Sequence, residues 1–201
     1  MSGIFDLITS QVGGDILRQV SQGMGGDEGK TNDALQSAIP LLLGAMNRNA
    51  QQPEGARALA SALERDHDGS ILDDLSGYAS NPGAGNGAGI LKHLLGGQRG
   101  SVEQGLSQSS GLDAGSVGKL LEFAAPLIMG AVGKQQRSGG LDVSALADLL
   151  GREGASARQR APSTGQSLLT QFLDRDGDGS AVDDVAKAGM GFFSRFFGRR
   201  R

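Results

Sequence analysis

Ala38-Ile39-Pro40-Leu41-Leu42-Leu43-Gly44-Ala45-Met46 is an apolar run with a proline near its start and a Gly-Ala pair four residues beyond that proline. It returns 86 positions later as Ala124-Ala125-Pro126-Leu127-Ile128-Met129-Gly130-Ala131-Val132, with Ala, Pro, Leu, Gly and Ala kept in register. Self-similarity at a fixed offset governs how the rest of a chain is read. Here the same offset holds without a gap for about 44 residues. It pairs Gly3-Ile4 with Gly89-Ile90, Ser21-Gln22 with Ser107-Gln108, Gly25 with Gly111, Asp27 with Asp113, Gly29 with Gly115 and Leu35 with Leu121.

Apolar residues in each unit follow helical spacing. The pattern predicts two short amphipathic helices and then a longer apolar one, as in Ile4–Val12, Asp15–Met24 and Thr31–Arg48. Pro40 and Pro126 should kink the apolar helices or mark their restart, since proline removes an N–H and its ring crowds the preceding turn; a first-turn proline is the milder alternative. Gly44-Ala45 and Gly130-Ala131 remove side-chain bulk, so these two helices are expected to cross at close range as the buried central pair. Beyond them, Pro53–Arg65 and Val143–Leu150 read as further helices, and Ala58-Leu59-Ala60 matches Ala145-Leu146-Ala147 at an offset of 87. The expected fold is therefore all-α, a multi-helical bundle built by tandem duplication around two Pro-containing helices. Its expected organisation is a first helical repeat over 1–76, a Gly-rich linker over 77–88, a second repeat over 89–150, a flexible linker over 151–165, and an acidic loop with an amphipathic helix over 166–201.

Composition fits this architecture. Of 201 residues 34 are glycine, aromatics make up 4%, and there is no Trp. The core must then come from aliphatic and small side chains, with frequent helix breaks. Without cysteine there is no disulfide, thiolate ligand or catalytic thiol, and cytoplasm is the default location. A net charge of −3 gives no global case for nucleic acid. The N-terminus lacks the charged and apolar regions of a secretory signal, and no apolar run reaches the ~20 residues of a spanning helix, so no transmembrane segment is expected. The linker Gly77 to Gly89 has Gly-x-Gly spacing, but neither a preceding strand nor a following Gly-Lys-Ser/Thr makes it a phosphate loop.

The most chemically suggestive feature is a second repeat, at an offset of 110. Arg65-Asp66-His67-Asp68-Gly69-Ser70-Ile71-Leu72-Asp73-Asp74-Leu75 pairs with Arg175-Asp176-Gly177-Asp178-Gly179-Ser180-Ala181-Val182-Asp183-Asp184-Val185. With Asp174 as position 1, Asp176 and Asp178 fall at 3 and 5, Gly179 at 6 and the Ser180 carbonyl at 7, the order in which an EF-hand-like loop presents hard oxygen ligands to Ca²⁺. Glu64, Asp66, Asp68, Gly69 and Ser70 take these places in the first loop. Position 12 is Leu75 or Val185 in place of the bidentate Glu, so Asp73 and Asp74, or Asp183 and Asp184, would have to complete the shell. The alternative is helix capping, because Ser70-x-x-Asp73 and Ser180-x-x-Asp183 resemble capping boxes and acidic first turns suit the helix dipole. His67 is expected to point to solvent and His93 to lie on a helix surface; two separated histidines make zinc improbable. No catalytic signature is present, so the chain is not expected to be an enzyme.

Phe192, Phe193, Phe196 and Phe197 share one helical face next to Arg199, Arg200 and Arg201. Such a face packs on its own core, lies on an anionic membrane, or docks on a protein partner.

The Gly-Ile-Phe-Asp-Leu start, the Ala-x-Pro-Leu-x-x-Gly-Ala element and the Asp-x-Asp-Gly-Ser-x-x-Asp-Asp loop together resemble the YidB-like family, bacterial proteins containing domain of unknown function 937. That resemblance covers most of the chain and implies an all-helical fold. It carries no activity and no catalytic residues. The leading expectation is a non-enzymatic binding or scaffold protein with Ca²⁺ in its acidic loops; the alternative is a membrane-surface or partner-docking adaptor using the Phe/Arg end.

Overall fold

The computed structural model describes residues 3–160. Among these there are nine α-helices and no strand: α1 (Ile4–Gln11), α2 (Asp15–Gln22), α3 (Glu28–Ala50), α4 (Pro53–Asp66), α5 (Leu75–Ser80), α6 (Gly87–Leu95), α7 (Arg99–Ser110), α8 (Ala114–Gly139) and α9 (Val143–Arg160). Short 3₁₀ turns cover Ser70–Leu72, Pro82–Gly85 and Gly96–Gln98. The fold is an all-α multi-helical bundle.

Both long helices start one residue after an aspartate that caps them. Asp27 Oδ1 accepts from the Lys30 N–H at 2.9 Å, and Asp113 Oδ1 from the Ser116 N–H at 3.0 Å. Each cap satisfies one of the four N–H groups that a helix start leaves without a partner. From there α3 and α8 run through the middle of the molecule. Ala34, Ile39, Leu42 and Leu43 of the first are fully buried, as are Leu120, Leu127, Ile128 and Val132 of the second. Pro40 and Pro126 lie inside these helices, so neither marks a helix start. α8 is long and apolar enough to cross a membrane, but 83% of its apolar window is buried in the fold, as in the core helix of a bundle.

Four local expectations are corrected. α3 and α8 do pack on each other as the buried central pair, but Gly44 lies against Gly154 of α9, and Gly130 against Gly69 and Ile71 of the acidic loop. Residues 77–88, expected as a flexible Gly-rich connector, instead hold the end of α5, a 3₁₀ turn and the start of α6. Their glycines permit close approach. A side chain on Gly87 would overlap the Glu122 carbonyl, and one on Gly85 would meet Pro126 and Tyr78. Pro126 has no N–H for the carbonyl four residues back, so the group Gly87 approaches is one its own helix leaves open. Residues 151–160, expected within a second flexible linker, continue α9, which packs along α3. Ala157 is fully buried there. Lastly, His67 is half-buried where a solvent-facing side chain was expected.

The second helical unit thus folds back on the first. α9 is packed chiefly on α3, α4 touches α8, and α1 contacts both central helices. Glu153 of α9 accepts the Ile4 N–H at 2.6 Å, capping α1 from 149 residues further along the chain. Arg160 reinforces that junction through Asp6 at 2.7 Å.

Candidate functional site

The acidic loop between α4 and α5 is built on the outer face of α8. α4 ends at Asp66, and His67 leaves the helix with φ −136° and ψ 54°. Gly69 then takes φ +99°, a conformation that favours glycine, and turns the chain back. Its Cα side faces Gly130 and Lys134, while the His67 carbonyl lies against Gly133 so closely that a side chain there would overlap it. The glycines of α8 thus form a seat for the loop. Asp68 Oδ1 accepts from the Ser70 N–H at 3.0 Å, and Asp74 Oδ1 caps α5 through the Gly77 N–H at 2.9 Å.

The remaining carboxylates point at cations. Asp68 Oδ2 lies 3.4 Å from Arg137 Nη1, Asp73 Oδ1 is 3.7 Å from Lys134 Nζ, and Asp66 Oδ2 is 3.0 Å from Arg65 Nη2. Such exposed pairs contribute about 0–1 kcal/mol each. Hydrogen bonds from Ser70, with Arg137 nearby, hold the Asp68 carboxyl below its ordinary range. Burial lowers the His67 imidazole, opposed in part by the charge of Asp66. Glu64 is exposed. Asp66, Asp68, Asp73 and Asp74 are therefore taken up by ion pairs and a helix cap, and Ser70 serves Asp68 as a donor. Among the described residues no group of three or more His, Asp or Glu side chains is placed to hold a metal ion. The second loop, with Asp174, Asp176, Asp178, Ser180, Asp183 and Asp184, lies outside the described residues. So does the segment with Phe192, Phe193, Phe196, Phe197 and Arg199 to Arg201.

A separate feature is a cleft of about 310 Å³ between α2, the α5–α6 turn and the first half of α8. Val20, Met24 and Phe123 form its apolar floor, and Lys119 and Glu122 stand at its edge.

A family model described as a bacterial protein of unknown function (DUF937) matches residues 6–135. The chain belongs to the DUF937 family. No curated protein and no solved structure matches it. The matched span includes both Pro-Leu-x-x-Gly-Ala elements of this DUF937 chain, the seated acidic loop and every residue of the cleft.

Sequence reasoning missed three arrangements in this DUF937 chain. Tyr78 sits in the Gly-rich stretch, 7% exposed, stacks on Phe123 at 5.2 Å, and donates its hydroxyl to the Phe123 carbonyl at 3.0 Å. Burial pushes its phenol well above the usual value. A lone tyrosine among glycines was the available signal, because an isolated aromatic there needs something to pack on. Arg99 of α7 joins Glu103 at 2.6 Å and Glu122 at 2.7 Å, tying α7 to α8. The Glu153 cap of α1 spans 149 residues and has no local signature.

Proposed function

We propose that this DUF937 chain is a non-enzymatic, cytoplasmic helical scaffold, derived by tandem duplication, that offers its acidic loops to a ligand or partner, with Ca²⁺ the ligand of the Asp174 loop. The observation that carries the reading is the backbone of the matching first loop. Gly69, at position 6, makes its turn through φ +99°, and the carboxylates around it stand on a rigid seat on α8. A sharp glycine turn at position 6 is what a Ca²⁺ loop of this kind requires. In the first loop those carboxylates pair with Arg137 and Lys134. The metal is therefore assigned to the second, where Asp replaces Glu64 at position 1. Duplication is supported by the equivalent caps Asp27 and Asp113, 86 positions apart. The scaffold role is supported by the way the charged groups of the bundle are used in caps and cross-helix pairs.

Calorimetric titration of the full chain with Ca²⁺ tests the reading. It predicts a saturable heat and a rise in melting temperature, both abolished by Asp176→Asn with Asp178→Asn. Neither heat nor a Ca²⁺-dependent shift would remove the metal from the account. For the Phe/Arg end the corresponding proposal is docking on an anionic membrane surface; co-sedimentation with anionic liposomes should then fall when residues 191–201 are deleted, and unchanged sedimentation would refute it.

A further inference from the structure

The cleft over α8 combines an apolar floor, a cation with no acidic partner among the described residues, and open space. Its volume, about 310 Å³, stands at the low end of clefts that take small ligands. Val20 and Met24 of the α2 end and Phe123 of α8 supply the floor. At its edge Lys119 forms no ion pair with an acid among the described residues; its Nζ is 3.5 Å from the Gly23 carbonyl, at the limit of a hydrogen bond. The acid on the same edge, Glu122, is directed to Arg99 at 2.7 Å, which it shares with Glu103, and forms no ion pair with Lys119. Gln19 is likewise engaged, donating to the Ser80 hydroxyl at 3.0 Å.

Three lining residues are glycines, and at two of them, Gly23 and Gly83, the backbone does not require glycine. Gly23 is in ordinary helical conformation, φ −70° and ψ −10°, and Gly83 has no positive φ. A Cβ on Gly83 would meet nothing closer than Asn81 Oδ1 at 3.9 Å, and one on Gly23 nothing closer than the Val20 carbonyl at 3.4 Å. Gly87 on the facing wall differs, since the Glu122 carbonyl leaves it no room.

We propose that this cleft binds a short aliphatic carboxylate, its chain lying on Val20, Met24 and Phe123 and its carboxylate paired with Lys119. A single ammonium suits one compact charge, whereas a phosphate would call for several donors or an arginine fork. The apolar floor selects an alkyl chain over a sugar or nucleoside. This proposal does not depend on the Ca²⁺ reading.

The test is titration of the full chain with decanoate below its micelle concentration, following the methyl resonances of Met24 and Val20. Saturable shifts at both are expected. Lys119→Glu should weaken binding at least about tenfold, while Lys119→Arg should retain it. Gly83→Leu should abolish it by filling the cleft, with Gly23→Leu as the second filling variant if the first fails to fold by circular dichroism. Decanol should bind more weakly than decanoate, and decyltrimethylammonium should leave Met24 unmoved. The proposal is overturned if decanoate gives no saturable shift, if decanol binds equally well, or if the response survives both Lys119→Glu and a folded filling variant.

Discussion

Replacing Gly133 by alanine should destabilise the protein, whereas the same change at Gly118, in the same helix, should not. Alanine is the better helix former by about 1 kcal/mol, so on propensity alone both variants should be more stable. Surroundings decide otherwise. A Cβ at Gly133 runs into the backbone carbonyl of His67, which can yield only if the acidic loop lifts from α8. Lifting it also strains the Asp68–Arg137 and Asp73–Lys134 pairs. Overpacking of this kind costs about 1–3 kcal/mol, and set against the propensity gain it leaves a loss of up to about 2 kcal/mol. At Gly118 the nearest atom is Glu103 Oε1 at 3.1 Å, the far end of a side chain whose pair with Arg99 can shift by a few tenths of an ångström without moving any backbone. Thermal melts at pH 7 read the contrast, since a chain of this size shifts by about 2–4 °C per kcal/mol. Gly133→Ala should melt lower than wild type, and Gly118→Ala at or above it. Equal melting temperatures, or a more stable Gly133→Ala, would refute the idea that the loop is seated by glycine.

Other outcomes follow from single contacts. Tyr78→Phe keeps the stacking on Phe123 but loses one buried hydrogen bond, and denaturant unfolding should show a loss of about 0.5–1.5 kcal/mol; no change would mean the hydroxyl bond is idle. The His67 pKa is lowered in the fold, so the stabilisation from its neutral form is complete above the unfolded value of about 6.5 and is lost as pH falls through the folded one. His67→Gln should therefore flatten the decline in melting temperature between neutral and mildly acidic pH; an unaltered profile would contradict this. Glu153→Ala should speed amide exchange at Ile4, the bond it accepts, without speeding exchange in α8. If Ile4 exchanges as slowly as before, α9 does not cap α1.

The fold was legible wherever the signal was local. The Pro-Leu-x-x-Gly-Ala runs announce the core because burial follows apolar spacing, while the long helix expected from Thr31 begins at Glu28, one residue after the Asp27 cap. Glycine misled in the same measure. Between 77 and 88 its abundance suggested a flexible connector, yet Gly85 and Gly87 are small because Pro126, Tyr78 and the Glu122 carbonyl press on them. From 151 to 160 an Arg-, Ala-, Ser- and Gly-rich composition hid a helix whose buried face consists of Gly154 and Ala157, too small to register as apolar periodicity. Of the candidate site, the glycine turn at Gly69 could be read in advance, whereas the capping box expected from Ser70 and Asp73 gives way to Asp74, one residue later, as the cap of α5. The diversion of Asp68 and Asp73 to Arg137 and Lys134 could not, because those cations lie on a helix more than 60 positions away.

Central to the account is one core shared by both helical units, with α9 closing over α3. Native-state amide exchange on the full chain tests this most directly. Shared packing predicts that the buried amides of α3, α8 and α9 open with one common free energy, equal to that of global unfolding. If α1–α4 instead open as one unit and α6–α9 as another, with distinct free energies, the two units are independent domains and the shared core is wrong.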